Sequence, residues 1–191
     1  GVANLGIIKD IAIDPSTITV EEQTELDFFH NVFRKALTDE SKPKEYEFLL
    51  DRIALPLQQP NVNIDNVVAF YGKQGIGKTA FFSFISSLFN LDVVGIYPDF
   101  ESFTAPHEEM KEMTLIEEIH LTDSPQNMKT WDKIKAISTS EMQHVNKKFV
   151  QSTKIARSIN IFTTTNHFPD SLMMLEDRRL TLLYSPNPRM G

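Results

Sequence analysis

The chain has no cysteine, which excludes a disulfide framework and a thiolate metal site and suits a reducing cytoplasm. It has no apolar run of the length needed to span a bilayer, so no membrane insertion is expected. It has no charged amino-terminal stretch followed by an apolar one, and no secretory signal is therefore expected. Because it begins with Gly1 rather than Met, it reads as an excised piece, with more protein expected on one or both sides. A basic surplus is missing too: the formal net charge is −7, so bulk charge cannot bind nucleic acid and any such site must be a local island. The five histidines, His30, His107, His120, His144 and His167, show no metal-ligand spacing and are read as non-ligands. No repeat or low-complexity tract appears.

What is present is the composition of a globular protein, 41% hydrophobic and 24% charged over 191 residues, enough for one large core. Residues 1–20 read as an extended lead-in around Asp14-Pro15-Ser16. From about Val20, apolar residues at Leu26, Phe29, Val32, Phe33 and Leu37 recur at helical spacing, with acids first and Arg34 and Lys35 last. A second helix is predicted from Pro43 through Tyr46, Leu49, Leu50 and Ile53, broken by Pro56 and Pro60. These make a helical appendage over residues 1–60, ahead of a core over 61–191. The core opens on the continuous apolar run Val67–Tyr71, as a strand buried on both faces of a parallel sheet would. Further pieces are a helix from Ala80 to Phe89, strands at Asp92–Ile96 and Thr114–Ile119, a helix at Met128–Ile137, a hairpin at Met142–Ile155 and a strand at Ile159–Thr165. The pattern is α/β with a mostly parallel sheet.

Between the first core strand and its helix lies Gly72-Lys73-Gln74-Gly75-Ile76-Gly77-Lys78-Thr79, the phosphate-loop pattern in the strand-to-helix context it requires. Its glycines let backbone N–H groups of Gly75, Ile76, Gly77, Lys78, Thr79 and Ala80 turn toward phosphate, and the helix end adds its dipole. Lys78 is expected on the β- and γ-phosphates, and Thr79 on Mg²⁺. A turn of the backbone at the carboxyl end of the apolar strand that holds Met113-Thr114-Leu115-Ile116-Glu117-Glu118 lets Glu117 and Glu118 face one crevice. We assign Glu117 to Mg²⁺ and Glu118 to the attacking water. A pair of solvated charges entering a loop is the plainer alternative.

No Asp or Glu occurs between Gln143 and Phe168, while Lys147, Lys148, Lys154 and Arg157 do. Lys147-Lys148-Phe149 at the centre of the expected hairpin can meet phosphate and stack on a base or sugar, or form an ordinary basic loop. Thr163-Thr164-Thr165-Asn166 is polar for a buried strand, as suits an end that faces a ligand. In Glu176-Asp177-Arg178-Arg179 the guanidiniums form either a salt-bridged pair or an arginine finger acting on a neighbouring subunit.

The order GKQGIGKT, LIEEIH, VNKKFVQSTKI, INIFTTTN and EDRRL resembles the superfamily 3 helicases of viruses and phages. It is most similar to the helicase domain of phage or plasmid primase-helicases and primase-polymerases. The likeness covers about residues 43–185, with Gly72 to Asn166 spanning 95 residues. It implies an AAA+ P-loop core, ATP and Mg²⁺ as cofactors, a homo-hexameric ring around single-stranded DNA, and a linked primase or polymerase domain. A cytoplasmic host compartment follows from it. By the same likeness Asn166 is the sensor, Lys148 and Phe149 are the DNA-touching hairpin tip, and Arg178 or Arg179 is the finger. Many members have His after the hairpin lysine; Phe149 here leaves apolar packing in place of a hydrogen bond. The rival expectations are a P-loop kinase with Arg178 and Arg179 in a lid, and an assembly module that binds nucleotide without moving DNA.

Overall fold

The computed structural model describes residues 14–59, 62–105, 110–120, 124–140, 142–145, 153–156, 159–167 and 177–188. After a 3₁₀ turn at Pro15–Thr17, helix α1 runs Val20–Leu37, opened by a capping box in which Thr19 and Glu22 satisfy each other's backbone N–H groups. Helix α2 spans Pro43–Gln58, with proline in its first turn where no N–H is needed. Pro56 does not end this helix, contrary to the sequence expectation. It sits buried in the last turn, where it forfeits one hydrogen bond, and Gln59 N–H still reaches Leu55 O at 2.8 Å. His30 Nδ1 lies 2.8 Å from Tyr46 Oη and joins the two helices.

The strands are β1 (Val67–Gly72), β2 (Val94–Tyr97), β3 (Met113–Ile116), β4 (Met142–Val145), β5 (Thr153–Ala156), β6 (Asn160–Thr165) and β7 (Leu180–Ser185). Helices α3 (Lys78–Leu88), α4 (Phe100–Phe103) and α5 (Pro125–Ser138) alternate with them. Five strands form one sheet in the order β2-β3-β6-β1-β7, every pair parallel. Strands β4 and β5 pair antiparallel, with Val145 opposite Thr153, where the hairpin was expected. The strand β7 and the short helix α4 were not foreseen. Among the described residues no helix is long and apolar enough to cross a membrane.

Both faces of the sheet are covered, and β1 shows why its sequence is apolar throughout. Val68 and Phe70 enter one core with Phe33, Leu37, Leu49 and Ile53 of α1 and α2 and Phe81, Phe82 and Ile85 of α3. Val67 and Ala69 enter the other with Phe100, Phe103, Trp131 and Ile134 of α4 and α5. A parallel strand with helices on both sides has no solvated face, so alternation disappears. On α1 the buried stripe is Phe33, Ala36 and Leu37, while Leu26 is 40% exposed and lies outside it. Ser185 Oγ donates to Lys35 O at 2.7 Å and ties the end of β7 to α1.

One buried cation crosses between layers. Arg52 of α2 donates to Asn160 Oδ1 at 3.1 Å and to Asn66 O at 2.8 Å, and its guanidinium lies 5.3 Å from the Phe162 ring centre. Burial pushes this guanidinium down to about 10. It is held by neutral oxygens and a ring face, and it fixes α2 against the start of β6.

Candidate functional site

Parallel strands bring their carboxyl ends to one edge, and the loops leaving β1, β3 and β6 meet there. β6 lies between β1 and β3, so Asn166 after β6 stands between the glycine loop after β1 and the acids after β3. A cleft of about 340 Å³ opens at this point, lined by Gly75, Gly77, Lys78, Thr79, Glu117, Glu118, Thr164 and Asn166 together with Gln74 and Ala80.

The loop is shaped by two glycines in the left-handed region, Gly75 at φ 84° and Gly77 at φ 105°, where a side chain would be strained. Gly77 is the residue before α3, and Ile76 folds back into the core at 1% exposure. A Cβ on Gly72 would meet the Ile76 side chain, so the glycine at the strand end makes room for it. Among the described residues no group accepts from the N–H groups of Gly75, Ile76, Gly77, Lys78, Thr79 or Ala80. Gly75, Gly77, Lys78, Thr79 and Ala80 of this set line the cleft at the amino end of α3, an arrangement complementary to an anion.

Lys78 is buried at 8% exposure, and its ammonium donates to Gly72 O at 2.6 Å, Lys73 O at 3.2 Å and Asn166 Oδ1 at 3.1 Å. Burial lowers its pKa, and the charge of Glu118 partly offsets this. Asn166 Nδ2 donates to Glu118 Oε2 at 2.8 Å, and Asn166 N–H approaches Glu118 Oε1 at 3.4 Å. The amide therefore joins the lysine to the carboxylate. Strand β3 ends at Ile116, and both Glu117 and Glu118 line the cleft beyond it. Glu117 is fixed through its backbone: its N–H donates to Tyr97 O at 2.8 Å, and its carbonyl accepts from Thr164 Oγ1.

The threonine run of β6 reaches the cleft at Thr164, next to Asn166. Thr163 Oγ1 donates to Thr164 O and Thr165 Oγ1 to His167 O, so these hydroxyls are spent on backbone, and Thr164 alone of the three lines the cleft. The polar run lets the strand end stay buried while its chain turns.

Arg178 and Arg179 stand elsewhere. Arg179 O accepts from Val67 N–H at 2.7 Å, at the start of β1, so both arginines lie at the amino edge of the sheet. The cleft is a strand length away, roughly 16 Å at about 3.3 Å per residue. Arg179 is spent on Asp177, with Nε to Oδ1 at 2.9 Å and Nη2 to Oδ2 at 3.2 Å. Arg178 is exposed, and among the described residues its guanidinium has no partner. Lys147, Lys148 and Phe149 lie outside the described residues, as does Glu176.

Sequence spacing missed one grouping. His120 and His167, read as non-ligands, come together beside Glu118 with ring centres 5.1 Å apart. Nothing local in the sequence signals this, because the two follow different strands, β3 and β6, that are neighbours only in the folded sheet.

Residues 70–179 match the model of a family described as a family of unknown function (DUF5906). No curated protein matches the chain. Among solved structures it is similar to the apo C-terminal region of NrS-1 (305–718), with a TM-score of 0.67 at 18% identity over 84% of this chain and 38% of that one. A second, A-form apo structure of the NrS-1 C-terminal region gives 0.64 at 20% identity over 83% and 38%. The chain thus spans well under half the length of these structures, and at such identity the likeness is one of fold.

Proposed function

We propose that this chain, which belongs to the DUF5906 family, is an ATP-hydrolysing ring subunit of superfamily 3, AAA+ type that moves along single-stranded DNA in replication. The observation that carries this reading is the hydrogen-bonded line from Lys78 through Asn166 to Glu118 across the mouth of a glycine loop. A triphosphate suits the residues present. The loop N–H groups, which have no acceptor among the described residues, and the buried ammonium complement phosphate oxygens, and the carbonyls that Lys78 reaches leave its charge unneutralised. Thr79 and Glu117 would hold Mg²⁺, which supplies charge neutralisation at the phosphates. Glu118 orients and deprotonates water, with Asn166 keeping the carboxylate beside the phosphate-binding lysine.

The position of Arg178 at the opposite sheet edge supports a residue that serves a neighbouring subunit, and it weighs against a kinase lid closing over its own cleft. Single-stranded DNA is assigned to Lys147, Lys148 and Phe149 on the charge pattern of the sequence.

The test is phosphate release with and without single-stranded DNA. The parent should hydrolyse ATP with DNA stimulation and no small acceptor, Lys78→Ala should be inactive yet folded, and Glu118→Gln should bind nucleotide without turning it over. Lys148→Ala should weaken DNA binding and flatten its salt dependence. Undiminished hydrolysis by Lys78→Ala would remove the reading, and transfer to a small acceptor in place of water would establish a kinase.

A further inference from the structure

The paired register of β3 and β6 runs Met113 opposite Asn160 through Ile116 opposite Thr163. Regular pairing ends there: in step Thr164 O would accept from Glu118 N–H, but it accepts from Ile119 N–H at 2.9 Å, one residue later along the chain. The segments leaving β3 and β6 nevertheless stay side by side, and the rings of His120 and His167 come within 5.1 Å of each other, centre to centre. His167 is held in a turn by Thr165, whose hydroxyl donates to its carbonyl at 3.0 Å and accepts from its N–H at 3.2 Å. The two imidazoles are exposed, and among the described residues neither ring nitrogen has a hydrogen-bond partner. One ring nitrogen of each, and one carboxylate oxygen of Glu118, lie within 4.8 Å of one another.

We propose that Glu118, His120 and His167 form a transition-metal site at the wall of the cleft, one that takes Zn²⁺-class cations. Two imidazoles and a carboxylate are a donor set that prefers such ions to Mg²⁺ or Ca²⁺, which seek oxygen. Three protein ligands leave a coordination position to solvent. Bonds of about 2.1 Å at tetrahedral angles put donors about 3.4 Å apart, and rotation of two surface imidazoles closes the remaining distance. Because Glu118 also accepts from Asn166, a cation here draws the carboxylate away from the Lys78–Asn166 line. Zn²⁺ should therefore inhibit hydrolysis; this second statement rests on the function proposed above, and the binding site itself does not.

The test uses the tag-free chain without nucleotide, titrated with Co²⁺ as probe. Visible absorption of a low-coordinate Co²⁺ complex is expected, displaced by Zn²⁺ and unaffected by excess Mg²⁺. His120→Ala and His167→Ala should each weaken Co²⁺ binding by about tenfold or more, since losing even an outer-sphere partner costs 10–100-fold. Absence of Co²⁺ binding by the parent, or binding by both histidine variants as tight as the parent's, overturns the site. In the ATPase arm, Zn²⁺ should inhibit the parent more than His167→Ala. A parent that binds Co²⁺ through these residues but hydrolyses no nucleotide leaves the site standing and removes the hydrolytic reading alone.

Discussion

Asn166 joins Lys78 to Glu118: its Oδ1 accepts from the ammonium at 3.1 Å while its Nδ2 donates to the carboxylate at 2.8 Å. An amide is suited to this place because it offers an acceptor to a cation and a donor to an anion at once. Asn166→Asp replaces the donor with a second negative charge beside Glu118, which destabilises the ionised carboxylate. The expected outcome is a loss of turnover on the order of 10² with nucleotide affinity within a few-fold of the parent. Steady-state phosphate release, set beside fluorescent-nucleotide binding, checks it; equal turnover would leave the asparagine without a role in the chemistry.

Arg52 gives a prediction about stability alone. Its guanidinium serves Asn160 and Asn66 in two directions and lies over Phe162, far from the cleft end of the sheet. Arg52→Ala strands the buried Asn160 Oδ1 and the half-buried Asn66 O, and a loss of about 3 kcal/mol is expected. Arg52→Lys should recover only part of it, since one ammonium on a flexible stem cannot reproduce the fork. Urea midpoints measure both, and a lysine variant as stable as the parent would show that charge, not geometry, is what α2 needs.

The parts of this fold that were legible in the sequence are those with a local cause. The run Val67–Tyr71, the glycine loop and the helix after it announce a buried strand, a turn and a dipole within a few residues of one another. Pro56 misled because a proline's cost depends on how many helical bonds follow it, and here the helix ends two residues later at Gln58. Strand β7 was missed because Leu180–Ser185 directly follows two arginines and its partner β1 is more than a hundred residues away. In the site, the loop, both acids and Asn166 were named from the sequence and come together around one cleft. The histidine pair could not be, since His120 and His167 meet only where the segments leaving the adjacent strands β3 and β6 run side by side, 47 residues apart in the chain.

Asp177 sets a pH dependence. Burial pushes its carboxyl up, but hydrogen bonds from the Arg179 side chain and backbone, with the charges of Arg179 and Lys135, outweigh this and hold it down to about 2. A carboxyl lowered in the folded state stabilises the fold above its ordinary value of 3.8, and the contribution is lost as pH falls through about 2. The stability gap between the parent and Asp177→Asn should therefore be widest above about pH 5 and close toward pH 2. Thermal melts of both proteins over that range measure it, and a gap independent of pH would mean that the ion pair contributes nothing.

The same ion pair separates the two arginines. Arg179 is committed to Asp177, and its loss should cost stability through the Asp177–Lys135 cluster that joins α5 to the start of β7. Arg178 is exposed beside it at the amino edge of the sheet, too far from its own cleft to touch a phosphate bound there. In a ring, that edge can meet a neighbour's cleft. Arg178→Ala should then keep nucleotide affinity and stability nearly intact and depress turnover on the order of 10³, as loss of a finger supplied by another subunit does. Mixing gives the discriminating measurement. Lys78→Ala subunits, which keep the arginine, are combined with Arg178→Ala subunits, which keep the cradle, each inactive alone. Wherever an intact cradle faces an intact arginine a working site is restored, so the mixture should regain part of the parent's turnover, with a maximum at intermediate ratios. Mixed assemblies that form but stay as inactive as their parents would show that Arg178 does not act across an interface, and the shared-site mechanism would fall with it.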